Sequence, residues 1–127
     1  MIKEEDRLSK EIIGAAIKVH RRLGPGLLES AYEECLCREL AIRRLAFERQ
    51  KPLALSYKGV NLNCGYRLDV VVEGLVILEL KAAEKSEPIH EAQLLTYLKL
   101  SELKWGILIN FNVPLLKHGI KRIVNSL

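Results

Sequence analysis

Asp69, the tripeptide Glu79-Leu80-Lys81, and the pair Gln93 and Tyr97 are the residues whose types and order could carry chemistry. Two carboxylates and a lysine crowded together are costly unless something offsets their charge. A divalent cation held by Asp69 and Glu79, with Lys81 beside it, would do so. That arrangement suits phosphodiester hydrolysis. The cation polarises the phosphate and activates a water, and the lysine steadies the water or the developing charge. Oxygen ligands without a His/Cys cluster point to Mg²⁺ or Mn²⁺.

The elements that must position these residues follow from periodicity. Leu8, Ile12, Ala16, Val19 and Leu23 recur at helical spacing, which predicts an amphipathic helix over about residues 5–23. Gly24-Pro25-Gly26 breaks it, and a second helix is expected from about Leu28 to Ala46. Its expected apolar face is Leu28, Ala31, Tyr32, Cys35, Leu36 and Leu40. Pro52 and Gly59 bracket an expected strand, Leu53–Tyr57, ending in a Lys58-Gly59 turn. Tyr66–Val72 alternates, with Tyr66, Leu68, Val70 and Val72 on one face and Arg67, Asp69 and Val71 on the other. In Leu75–Lys81, Ile77, Glu79 and Lys81 share a face. Ile89–Leu100 reads as a helix after Pro88, and the apolar run Trp105–Phe111 as a strand buried on both faces. A short strand or helix is expected around Ile120–Val124. The order is that of an α/β layered sandwich with a mixed sheet. The middle strands form an antiparallel hairpin, and the late strand joins after a helical crossover.

Register tests whether the two carboxylates can meet. A two-residue Glu73-Gly74 turn would pair Leu68 with Glu79 and turn Asp69 and Glu79 to opposite faces. A three-residue connection or a bulge brings them together, and Gly74 can supply the left-handed residue such a loop wants. The odd-length connection is the expectation.

Bulk properties narrow the class. At 127 residues, 49% hydrophobic and 28% charged, the chain is expected to be one ordinary globular domain. No apolar run approaches the ~20 residues of a membrane span. Residues 1–10 are charged and lack an apolar signal core, so a cytoplasmic location is expected. Cys35, Cys37 and Cys64 lack zinc-type spacing and cannot supply an iron–sulfur cluster; buried, reduced thiols are expected. Charge is uneven. Residues 1–102 hold 16 Lys+Arg and 16 Asp+Glu, so the whole net +4 lies in Lys104, Lys117, Lys121 and Arg122. A basic end beside a carboxylate site suits a nucleic-acid backbone, with Lys117, Lys121 and Arg122 as contacts; a solvated surface is the plainer alternative.

Asp69, a nine-residue gap, Glu79-x-Lys81 on a hairpin and a helix behind it resemble the PD-(D/E)XK nuclease superfamily. Gln93-x-x-x-Tyr97 resembles the added motif of its RecB-type branch, and Gly26-x-x-Glu29-x-x-Tyr32 is similar to the signature of the GxxExxY proteins within it. The resemblance covers nearly the whole chain. It departs in one place, where Leu68 rather than proline precedes Asp69. It implies a restriction-endonuclease-like layered sandwich, a central mixed β-sheet flanked by helices. It also implies a metal-dependent nuclease acting on nucleic acid, DNA ahead of RNA. Asp69 and Glu79 would be metal ligands, with the Leu80 carbonyl as a third. Glu29 would complete or support the set, Lys81 would orient or activate water, and Gln93 and Tyr97 would position the site or touch the backbone. His20 and His90 are supporting candidates. A homodimer would let two sites address a duplex or lend a binding surface.

Each residue also has a plainer role. Glu79 and Lys81 could be a cross-strand charge pair, and Glu29 a first-turn acid serving the helix dipole. Tyr32 and Tyr97 could be core aromatics, Gln93 a bridge between helices and His20 a cap. The chain as a whole could be a catalytically silent nucleic-acid- or protein-binding adaptor, or a structural partner in a larger complex.

Overall fold

The computed structural model describes residues 4–126. Helix α1 (Glu4–Leu23) buries Leu8, Ile12, Ala15, Ala16 and Val19 along one stripe. Acids fill its first turn and His20, Arg21 and Arg22 its last, which complements the helix dipole. Helix α2 (Glu29–Ile42) lies beside it and buries Tyr32, Leu36, Cys37 and Leu40. Next come strands β1 (Phe47–Pro52), β2 (Leu55–Tyr57), β3 (Val60–Leu62), β4 (Arg67–Val72) and β5 (Val76–Lys81). Helix α3 (Pro88–Ser101), β6 (Trp105–Asn110), a 3-10 turn (Leu116–Gly119) and β7 (Ile120–Val124) complete the order.

Among the described residues five strands form one sheet, β1-β4-β5-β6-β7, and β2 and β3 pair with each other alone. β6 is parallel to β5 and the other neighbours are antiparallel, so the sheet is mixed. The larger core joins α1 and α2 to Val70, Val72, Val76, Leu78, Leu80, Ile107 and Ile109. The smaller core, on the other side, joins Leu94, Tyr97 and Leu98 of α3 to Val71, Ile77 and Leu108. α3 is the expected crossover between β5 and β6, and β6 is buried almost throughout.

The α2–β1 region departs from expectation. α2 stops at Ile42 rather than near Ala46, because Arg44 turns left-handed (φ 61°). The Arg44 N–H then bonds Ala41 O and the Leu45 N–H bonds Leu40 O, a Schellman end. Arginine rarely takes the place of glycine there, so the sequence hides the stop. Of the expected strand Leu53–Tyr57 only Leu55–Tyr57 is a strand, β2, outside the main sheet, and the unexpected β1 precedes it on the sheet edge. β1 reads Phe-Glu-Arg-Gln-Lys-Pro, and five of its six residues are exposed; an edge strand of this kind has no apolar alternation to read. Cysteine exposure also differs from expectation. Only Cys37 is buried, its thiol pushed up to about 11 by that burial, while Cys64 is exposed in the loop after β3.

The link between α1 and α2 is clamped by Tyr32. Its ring stacks on Phe111 at 4.4 Å. Its phenol donates to Gly24 O (2.6 Å) and accepts from the Leu27 N–H (3.1 Å). Gly24 and Gly26, at φ 69° and 100°, supply the left-handed backbone the bend needs. Tyr32→Phe keeps the stack but strands both backbone groups. It is expected to lower stability by about 1–3 kcal/mol, read as a shift in the urea midpoint at unchanged slope.

Candidate active site

The β4–β5 connection has the expected odd length. Val72 pairs with Val76, leaving Glu73-Gly74-Leu75 as the loop, and the register runs on through Val71↔Ile77 and Val70↔Leu78. Its next step sets Asp69 opposite Glu79. Glu73 and Gly74 are both left-handed (φ 54° and 65°), and the Leu75 N–H closes the turn on Val72 O.

The backbone ladder does not continue to Asp69. Instead the Asp69 carboxylate takes the Leu80 N–H at 2.8 Å, and the Asp69 N–H points at Glu79 Oε1 at 3.5 Å. The strands fork here, and a side chain replaces a carbonyl as the acceptor. A strand residue turns its N–H and C=O toward the same neighbour, so the Leu80 carbonyl faces the fork as well. The β1 side is distorted at the same level. Gln50, which falls opposite Asp69 in the β1–β4 register, is left-handed (φ 49°) and unpaired in the ladder. One expected alternation therefore fails. Leu68 packs with Val71 and Ile77 on the α3 side, not with Val70 and Val72. The change of face falls at Asp69, where the β4–β5 ladder stops and the facing Gln50 of β1 is left-handed.

Asp69 lines a cleft of about 440 Å³ with Glu29, Ser30, Glu33, Gln50 and Leu80. Glu29 is exposed at its rim, at the start of α2. Among the described residues no three acid, His or Cys side chains converge closely enough to ligate one ion. Asp69 and Glu79 meet; Glu29 shares the cleft without joining them. Glu79 is buried, with its carboxyl beside that of Asp69. Burial first, and the Asp69 charge second, push its pKa up to about 9, with Lys81 opposing only weakly. Two abutting carboxyls in a buried fork need a shared proton or a cation. The oxygen donors of Asp69, Glu79 and Leu80 therefore fit a hard divalent ion.

Lys81 lies on the Glu79 face of β5, half-buried and with no ion pair among the described residues. Gln93 Nε2 donates to Tyr97 Oη at 2.9 Å. Burial, then the charge of Glu79, raises the Tyr97 pKa. The two histidines have partners of their own. His20 Nε2 donates to Val113 O at 2.8 Å, and His90 forms the capping box of α3 with Glu87. The basic residues do not share one face. Lys121 pairs with Glu91 of α3 at 3.4 Å, Arg122 alternates to the other side of β7, and Lys117 is in the 3-10 turn.

Three supporting residues escaped the sequence reading. Buried Glu33 accepts from Arg49 Nε and Nη2 (3.0 and 2.9 Å) and from Gln50 Nε2 (2.7 Å), tying β1 to α2 beside the cleft. Its spacing of four from Glu29 was the available signal. Gln50 itself gave none. Asn110 holds Ala83 through both N–H and C=O, and also the Asn112 N–H, which fixes the chain just past Lys81. A lone amide ending the apolar run Gly106–Ile109 was its signal.

A family model described as the PD-(D/E)XK nuclease superfamily matches residues 6–123. The chain belongs to the PD-(D/E)XK nuclease superfamily. Its five-stranded mixed sheet with three helices is the restriction-endonuclease-like fold. Membership suggests nuclease-type chemistry and contact with nucleic acid, and divalent metals are the usual cofactors of this superfamily. No curated protein and no solved structure matches the chain. Among the described residues no helix is long and apolar enough to cross a membrane.

The raised pKa of Glu79 sets a sign for stability. The folded chain holds this proton more tightly than the unfolded chain, so the contribution is present below about 4.5 and is lost as pH climbs toward about 9. In EDTA the melting temperature is expected to fall between about pH 5 and about pH 9. In Glu79→Gln that fall is expected to flatten. Parallel melting curves for the two proteins would contradict the buried pair.

Proposed function

We propose that this chain is a compact metal-dependent nuclease that hydrolyses phosphodiester bonds, in DNA ahead of RNA. One observation carries the reading: the carboxyls of Asp69 and Glu79 meet at a strand fork, with Lys81 next along the Glu79 face. Asp69, Glu79 and the Leu80 carbonyl would hold Mg²⁺ or Mn²⁺, with Glu29 supporting from α2. When bound, the ion supplies Lewis-acid chemistry toward phosphate oxygen and water. Lys81 orients or activates the attacking water and offsets charge developing on the phosphate. Gln93 and Tyr97, already bonded to each other, hold the Glu79 side of the site in place. Tyr32 and Gly26 aim Glu29 at the cleft by fixing the bend before α2.

The Gln93-x-x-x-Tyr97 and Gly26-x-x-Glu29-x-x-Tyr32 patterns support placing the chain in the RecB-type branch, among the GxxExxY proteins. We further propose a single cytoplasmic domain that works as a homodimer. Light scattering at working concentration is expected to read twice the chain mass; a monomer mass would contradict the dimer.

The functional test is cleavage of labelled single- and double-stranded DNA and RNA with Mg²⁺, with Mn²⁺ and with EDTA. Wild type is expected to cut only with metal, and Lys81→Ala to cut at least about 10²-fold more slowly. Metal-independent cutting, or equal rates in the two proteins, would contradict the assignment. Oligonucleotide binding without cutting would favour the adaptor.

A further inference from the structure

Between β1 and β4 the chain leaves the main sheet for a hairpin, β2–β3, that among the described residues pairs only with itself. Tyr57↔Val60 pairing leaves Lys58-Gly59 as a two-residue turn, both left-handed at φ 47° and 83°. That is the turn favoured by a tightly twisted hairpin, so its shape is well specified. Yet it buries almost nothing. Tyr57 is 63% exposed, Val60 57% and Leu62 39%. A two-stranded hairpin with both faces wet is marginal alone, and its exposed side chains gain nothing from folding unless something covers them.

The same excursion ends at the site. Tyr66 is 45% exposed, and its ring stands 6.4 Å from that of Tyr97, tilted by 59°. Three residues later the chain reaches Asp69. Charge identifies the complement. Residues 52–68 carry Lys58 and Arg67 and no acid. Lys58 Nζ lies 5.4 Å over the Tyr57 ring, so a cation and an aromatic face are presented together at the tip. Arg67 is exposed, with Nη1 bonded to Gln50 O at the cleft edge.

We propose that the β2–β3 hairpin and Tyr66 form a docking surface for single-stranded nucleic acid. Tyr66 stacks on a base next to the Asp69–Glu79 fork, and Tyr57 with Lys58 receives the strand farther out. The inference rests on the nuclease reading of that fork and names the form of its substrate. Aromatic faces and cations without acids suit an unpaired strand, which offers both π-faces and phosphates. A duplex hides its base faces and offers these tyrosines little beyond its backbone.

The test measures binding apart from cutting. Fluorescein-labelled dT15 and U15 and a 15-base-pair duplex, about this size to span one module, are titrated in EDTA and followed by anisotropy. Each variant is compared with the parent, so repulsion from the carboxylate pair cancels. Single strands are expected to bind more tightly than duplex. Tyr66→Ala and Tyr57→Ala are each expected to weaken single-strand binding at least about fivefold, the low end for base stacking. Tyr66→Phe is expected to retain it. Both tyrosines are exposed, so a folding defect is not expected, and circular dichroism checks this. Duplex bound as tightly as single strand, unchanged affinity in both alanine variants, or no binding of any oligonucleotide would overturn the inference. If Lys81→Ala abolishes cutting while these variants bind normally, the docking surface fails and the nuclease reading stands. If the tyrosine variants lose binding but no protein cuts, the nuclease reading fails alone.

Discussion

Two carboxyl groups, Asp69 and Glu79, share a buried fork between β4 and β5, and the Asp69 carboxylate replaces a backbone acceptor for the Leu80 N–H. Much of the surrounding structure accommodates that substitution. The ladder ends one step early at Val70↔Leu78, and β1 leaves its own pairing at Gln50. Glu33 then holds Arg49 and Gln50, so the distorted edge cannot swing away. Asn110 fixes the far side by stapling the chain beyond Lys81. A buried polar network of this kind is stable only when each member is satisfied, and in this one Glu33 and Asn110 are.

The same crowding explains the site's electrostatics. Glu79 is held neutral by burial and by its neighbour's charge, and that penalty is what a hard cation would relieve. Tyr97 feels the pair from the α3 side and passes its position to Gln93. Asp69 opens toward the α2 cleft, while Glu79 and Lys81 follow the α3 face. Glu29 shares the cleft with Asp69, and Tyr66 stands beside Tyr97.

Periodicity made most of the frame legible. α1, α3, β5 and β6 follow their apolar spacing because each buries a continuous stripe or strand. The three-residue connection followed from requiring that Asp69 and Glu79 meet. What stayed hidden lacked such a signal. β1 is a polar edge strand, α2 stops on a left-handed arginine, and Leu68 changes face at the level where the β4–β5 ladder stops and Gln50 is left-handed. Of the candidate site, Asp69, Glu79, Lys81, Gln93 and Tyr97 stood out in the sequence as a spaced set, and the structure sets Asp69 beside Glu79 and Gln93 beside Tyr97. Glu33 and Gln50 did not stand out, since their importance comes from a contact between elements far apart in sequence.

The central claim is that the Asp69–Glu79 fork is built to take a divalent cation. Its most direct test is calorimetric titration of the intact chain with Mn²⁺, alongside Asp69→Asn. The account predicts one saturable site in wild type and loss of that binding in the variant, with circular dichroism unchanged. A wild-type chain that binds no Mn²⁺, or an Asp69→Asn chain that binds it equally well, would contradict it.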